Sequence, residues 1–312
     1  MLRRACHFID LGKSFCSSVS VNKGSLAKLR KSTGYTFANC KKALQLHNND
    51  ITQAEKWLRE QAQQMGWAKA TKLEGRPTLH GLVAVCVDRA TGIMVEVNSE
   101  TDFVARNNNF HSLVETVAST CFHFMDKKDF DLPLAKFQLG QEELKGLVAG
   151  DGRPLADHLA LAMGQLGENL TVRRAACLRA GPGAELVGHA HPSHPSQPSQ
   201  AGAVLRGKYA ALVALQGSSP ALRQLGRQLC QHVVGMNPAK FGEPGVDEPA
   251  ADPDEERCMI HQEFLLDPSI TVGQLLAVNG ASVLGFERFE CGEALGSSSV
   301  EPPVNLHAQI GG

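Results

Sequence analysis

The sequence has little of several things, and each shortage excludes something. Aromatic residues make up only 5% of 312 positions, which argues against a surface built to stack bases. No apolar run is long enough to span a bilayer. Neither sign of charge prevails: 31 lysines and arginines meet 32 aspartates and glutamates, so no global field marks the chain as a nucleic-acid binder. The nine cysteines are scattered singly, without a Cys-x-x-Cys pair. That usage fits a reducing compartment and thiols that serve as small buried hydrophobes.

Signatures of covalent chemistry are missing as well. Gly202 to Lys208 has the Walker A spacing, but it lacks the Ser/Thr that would hold Mg²⁺ and leads into a strand instead of a helix. His189, His191 and His194 have no cysteine or carboxylate partners at fixed spacing, on a stretch read as a loop. Glu96, Glu100 and Asp102 make no acid–base set, because alternation puts Glu96 on a strand edge and no nucleophile is near. The expectation is a protein that is not an enzyme, with no cofactor, no bound metal and no small-molecule substrate.

What is present is 43% hydrophobic residues in a chain long enough for two ordinary domains. The start differs from the rest. Arg3, Arg4 and Lys13 are interspersed with Leu2, Phe8, Ile9, Leu11 and Phe15, followed by Ser14, Ser17, Ser18 and Ser20, with Asp10 the one acid. A basic, serine-rich, amphipathic leader of this kind predicts a mitochondrial transit peptide over 1–22 and a matrix location.

Residues 23–70 carry helical spacing in three short pieces. Leu26 and Leu29 mark the first; Cys40, Ala43, Leu44 and Leu46 the second; Ile51, Ala54, Trp57 and Leu58 the third, with Asp50 as its N-cap. Three such helices around a Gly-aromatic loop resemble a ubiquitin-associated-like bundle. Lysines and arginines outnumber acids there, which reads either as a solvated face or as a docking surface for an acidic partner or RNA. An RNA- or ubiquitin-binding adaptor is therefore the alternative reading of the chain's function.

After a basic, polar connector (69–77), strands are expected over 81–87 and 93–97 and a helix through Phe110, Leu113, Val114 and Val117. An irregular polar stretch over 126–154 follows, then a helix from Leu155 and a strand over 168–176. The order strand, break, helix, spacer, helix, strand then recurs: 209–215, the break at 217–220, a helix through Leu222 to Val233, a short helix at 271–276 and a strand over 283–289. This predicts an α+β chain: an N-terminal three-helix bundle, then two related subdomains (71–181 and 182–294), each an antiparallel sheet with helices on one side, and a tail at 295–312. His191 to Pro198 is expected to form an exposed loop and Gly242 to Glu256 a solvated connector.

The chain is organised around Val95-Glu96-Val97-Asn98-Ser99-Glu100-Thr101-Asp102-Phe103-Val104-Ala105-Arg106-Asn107. It opens as a strand and turns into a helix that Ser99 or Thr101 can cap, with Asp102 at the capping-box distance from Ser99. On spacing alone, Phe103 and Val104 tuck into the core and Asp102 complements the helix dipole. The string, however, closely resembles the signature of elongation factor Ts, the guanine nucleotide exchange factor for elongation factor Tu. Leu29-Arg30-Lys31-x-Thr33-Gly34, Cys40-Lys41-Lys42-Ala43-Leu44, Gly167-Glu168-Asn169-Leu170-x-Val172-Arg173-Arg174, Thr271-Val272-Gly273-Gln274-Leu275-Leu276 and Gly285-Phe286-x-Arg288-Phe289-Glu290-x-Gly292-Glu293 extend the resemblance in order along nearly the whole chain after the leader.

By that resemblance the partner is mitochondrial elongation factor Tu, and neither nucleic acid nor membrane is expected as a direct partner. Asp102 and Phe103, flanked by Thr101 and Val104, are implied to enter the nucleotide-binding domain of Tu beside its Mg²⁺. Phe37 and Ala38 match a hydrophobic pair in the family's N-terminal module that also touches Tu, and His191 matches a histidine of the second subdomain, although Pro192 follows it where glycine is usual. Bacterial members carry a long helical hairpin before the last strand, for which the interval from Gly242 to Met259 is too short.

Overall fold

A computed structural model describes residues 20–33, 35, 37–73, 75–126, 132–192 and 202–295. The leader up to residue 19, the His/Pro-rich stretch after Ser193 begins (193–201, His194 included) and the tail beyond 295 lie outside them. The chain forms two units, Met1–Gln61 and Ala62–Gly312.

In the first unit, α1 (Lys23–Thr33), α2 (Phe37–Leu46) and the start of α3 (Ile51–Leu73) follow the expected pieces. Leu29, Cys40, Ala43, Leu44, Ala54 and Leu58 are buried, the side chains that recur at helical spacing. Asp50 caps α3, its Oδ1 accepting from the Gln53 amide at 3.0 Å. Leu46, expected inward, is exposed. The helix also runs to Leu73, past the start of the expected connector.

The second unit holds the duplicated part. Its first copy comprises β1 (His80–Asp88), β2 (Thr91–Ser99), α4 (Asn108–Asp126), β3 (Leu134–Gly140), α5 (Gln141–Gly146), α6 (Leu155–Leu166) and β4 (Leu170–Ala180). The second comprises β5 (Ala184–His191), β6 (Leu205–Gly207), β7 (Tyr209–Gly217), α7 (Leu222–Met236), the two-strand ribbon β8 (Glu263–Phe264) and β9 (Asp267–Thr271), α8 (Val272–Val278) and β10 (Ala281–Glu290). The sheets run β3-β4-β2-β1-β6 and β10-β7-β5. Every strand pair in them is antiparallel. The order β4-β2-β1 thus recurs as β10-β7-β5, each helix-bearing connection leaving the central strand and returning beside it. The expected α+β class and its repetition are both present.

Each sheet is covered on both faces. Ala84, Ile93, Val95 and Val97 point into a core with Phe110, Val114 and Leu159 of the helices. The alternate residues Val83, Val85 and Met94 meet Leu178, Leu186, Leu212 and Ala214, so the two sheets lie back to back. The far face of the second sheet, with Val213 and Leu215, packs on Leu225, Leu229 and Val233 of α7. Four layers result, which is why β2 and β7 read as nearly unbroken apolar runs. Gly188 sits where a Cβ would come within 2.7 Å of Val85 Cγ2, so its lack of a side chain sets how closely the sheets approach.

Two segments differ from expectation. The stretch 126–154, read as irregular, contains β3 and α5; Ala135, Phe137 and Leu139 are buried while Lys136 and Gln138 are exposed, a period-two pattern diluted by polar residues. His191, expected in a loop, ends β5 opposite Tyr209. Its backbone carbonyl accepts from the Lys208 amide at 2.7 Å. The Walker-like lysine is equally committed, since Lys208 Nζ donates to the Gly81 carbonyl at 3.0 Å.

Candidate functional site

β2 runs through the middle of its sheet and ends at Ser99, and the next four residues form a turn on which Glu100, Thr101 and Asp102 are half-buried and Phe103 is exposed. Glu168, in the connector between α6 and β4, accepts twice from Thr101: from its amide at 3.0 Å and from its hydroxyl at 2.7 Å. Glu100 reaches the other way, accepting from the Asn169 amide at 2.9 Å, and its second oxygen lies 3.5 Å from Arg76. Ser99 Oγ donates to the Thr101 carbonyl at 2.8 Å. A short 3₁₀ turn over Val104–Arg106 follows, with Val104 and Ala105 buried. Between clamp and anchor, Phe103 is 76% exposed, the reverse of what spacing alone implied for it. Asp102 is half-buried and accepts from Arg106 Nη2 at 3.2 Å.

The capping expectation is corrected. Neither Ser99 nor Thr101 caps the helix: α4 starts only at Asn108, and Asn107 Oδ1 accepts from the Asn109 amide at 2.8 Å. The side chains of Ser99 and Thr101 serve the turn itself, which frees Asp102 and Phe103 from the helix and places them on an outward corner. Val104, named with them from sequence, points inward at 8% exposure and holds the turn down.

The other expected residues are placed as follows. His191 is exposed and lies at the same end of the sheets as the turn: its carbonyl binds the Lys208 amide, Lys208 Nζ reaches Gly81, and Gly81 pairs with Asn98. Phe37 (53% exposed) and Ala38 open α2 in the first unit, with the Arg30 guanidinium 6.0 Å from the Phe37 ring centroid. His189 pairs with Ala211 within β5, and among the described residues no three His, Cys, Asp or Glu side chains gather as a metal site.

Glu96 departs furthest from expectation. Expected on a strand edge, it is fully buried on the central strand. Its carboxylate accepts from Arg173 Nη1 at 2.8 Å, Arg174 Nε at 2.6 Å, Asn98 Nδ2 at 3.1 Å and the Gly292 amide at 2.8 Å. Burial by itself would raise this carboxyl; the Gly292 amide, both guanidiniums and the Asn98 amide outweigh it and hold the group below its ordinary value. Arg174 also binds Glu293 at 2.5 Å and lies 3.9 Å over the Phe289 ring, and Arg288 reaches Glu290 and Glu293 at 3.0 and 3.3 Å. Three sequence motifs, Glu96-Val97-Asn98, Val172-Arg173-Arg174 and Arg288 to Glu293, therefore converge in one network that ties the first sheet to the residues after β10. They build the platform; Thr101-Asp102-Phe103 is what the platform displays.

Comparison with known proteins finds matches along most of the chain. The family descriptions "Elongation factor Ts, mitochondrial, N-terminal" and "Elongation factor TS" match residues 11–68 and 100–255. Proteins named "Elongation factor Ts, mitochondrial" align along almost the full chain. The one from Aedes aegypti is 48% identical over 94% of this chain and 95% of its own length. That from Drosophila melanogaster is 49% identical over 88% and 87%, and that from Homo sapiens 44% identical over 95% and 90%. The chain belongs to the elongation factor Ts family.

As a member of the elongation factor Ts family it is a translation elongation factor, and its relatives place it in the mitochondrion. Among the described residues, no helix is long and apolar enough to cross a membrane. The family resemblance drew attention to the turn at Asp102 and Phe103, but Glu168 and Glu100 were missed as its fasteners. The signal was the recurrence of a second family motif, Gly167-Glu168-Asn169, whose carboxylate had no assigned partner. Glu96 was misplaced because alternation reports which face a residue takes, not whether its strand is central.

Proposed function

We propose that this chain binds mitochondrial elongation factor Tu in its GDP-bound state and speeds the release of GDP and its replacement by GTP. The observation that carries the reading is an exposed apolar ring beside a half-buried carboxylate, on a turn fastened at both ends. A large exposed aromatic side chain on a rigid corner loses little freedom on docking and is suited to enter a pocket of a partner. Phe103 would part elements of the nucleotide-binding domain, while Asp102 disturbs the neighbourhood of the partner's Mg²⁺, which bridges the phosphates. Phe37, Ala38, His191 and Thr101 belong to the same proposed contact set, and residues 1–22 to an import signal.

The energetics are those of linkage. A ligand that binds the nucleotide-free form of Tu better than the GDP form must weaken GDP by the same factor, because coupling is reciprocal. GTP then displaces the factor, and no covalent step is needed. The test is stopped-flow release of a fluorescent GDP from mitochondrial Tu. Burying a phenylalanine side chain is worth about 1.5–3 kcal/mol. Phe103→Ala should therefore lower the second-order exchange constant by about tenfold or more, and Asp102→Ala with Phe103→Ala should abolish most of it. Because the ring is exposed, stability should move by no more than about 0.5 kcal/mol. Exchange by the double variant at the unaltered rate refutes the assignment.

A further inference from the structure

We infer that Glu168 is a positioning residue for exchange: it holds Thr101 by two hydrogen bonds so that the nearby Phe103 ring is presented in one orientation. This deepens the proposed function and rests on its reading of Phe103 as the wedge. The geometry is reciprocal. Glu168 takes the Thr101 amide and hydroxyl, and Glu100 takes the Asn169 amide, so two adjacent residues on each segment are cross-tied over 2.7–3.0 Å. Glu168 is placed to do this because Gly167, at φ 85°, ends α6 in the left-handed conformation and turns the chain back toward β4, which pairs with β2.

The second copy provides an internal control. There the helix-to-strand connector is Asn279-Gly280, without a carboxylate, and the matching break is Gly217-Ser218-Ser219-Pro220, without an aromatic residue. The shared architecture thus does without the clamp, and clamp and ring occur together in the first copy. A ring on a loose turn must surrender backbone freedom on docking, and that loss subtracts from affinity. Charge is not required for the tie: a glutamine at 168 can accept from the Thr101 amide and donate to its hydroxyl.

The experiment uses the mature chain in the GDP-release assay together with amide hydrogen exchange of the peptide spanning 99–104. Glu168→Ala should lower the second-order constant by about tenfold, the factor equivalent to re-ordering one backbone residue on docking. Glu168→Gln should restore it to within about threefold, since both hydrogen bonds can form. In a Phe103→Ala background, Glu168→Ala should change exchange by less than about twofold, because it acts through the ring. The Thr101 amide, its acceptor gone, should exchange at least about tenfold faster in Glu168→Ala and not in Glu168→Gln. Glu168→Asp, which keeps the charge but is one methylene short, serves where the alanine variant fails to fold and should show the same losses at smaller size. Unchanged exchange in Glu168→Ala, an equal loss with and without Phe103, or unaltered Thr101 protection overturns the inference. If Phe103→Ala alone keeps full activity, it is the wedge reading that fails instead.

Discussion

Replacing Glu96 with alanine should destabilise the second unit more than any substitution on the exposed turn. The carboxylate is fully buried and makes four hydrogen bonds, two of them to guanidiniums. Removing one partner of a buried ion pair costs about 3–5 kcal/mol. Arg173 and Arg174 would keep other acceptors, the Glu293 carbonyl and the Glu293 carboxylate, so their charges are not wholly stranded. That places the expected cost near the lower end, about 3 kcal/mol. Glu96→Gln retains the shape, an acceptor for the Gly292 amide and one for a guanidinium, and should cost roughly half as much. For a unit of this size the alanine variant should melt about 6–12 °C lower. Urea unfolding followed by circular dichroism at pH 7.5 measures the difference; urea is preferred to guanidinium, whose salt would screen the pair. A cost below about 1 kcal/mol for Glu96→Ala would refute the view that this network joins the two sheets.

Other expectations follow from the same structure. The Glu96 carboxyl is depressed in the folded state, so its stabilisation is complete above the unfolded value of about 4.3 and is lost as pH falls through the folded value. The stability gap between wild type and Glu96→Gln should therefore stay constant from pH 8 down to about 5 and narrow below about 4, as read from urea midpoints; a gap that widens on acidification contradicts the assignment. Gly292 has φ 84°, and a Cβ there would strike the Leu79 carbonyl, so Gly292→Ala should cost about 1–3 kcal/mol and displace the amide that Glu96 accepts. Combined with Glu96→Ala, its effect should be clearly less than additive in a double-mutant cycle, because both act on one contact.

Much of this molecule could be read before any fold was known. The helices of the first unit follow from Leu29, Cys40, Ala43, Leu44, Ala54 and Leu58, whose burial matches their spacing. The repetition was visible because each copy presents a similar strand, break and helix in the same order. β3 was overlooked since its apolar residues alternate with Lys136 and Gln138 in a polar neighbourhood, and an edge strand needs only one apolar face. Phe103 is the instructive case. Spacing alone put it in the core; the family resemblance put it outside, and the structure shows the ring exposed.

Local sequence determined the elements here, because periodicity and turn chemistry act over a few residues and are written in the chain itself. It also determined which residues stand at the outward turn, through a motif specific enough to name the family. Only the tertiary structure decided the partners of the buried charges and of the turn. Thr101 meets Glu168 across 67 residues, and Glu96 meets Gly292 across 196. Such pairings depend on which strands become neighbours, and on how the back-to-back sheets bring their ends together. No local pattern encodes that choice, since it is made by the burial of every layer at once.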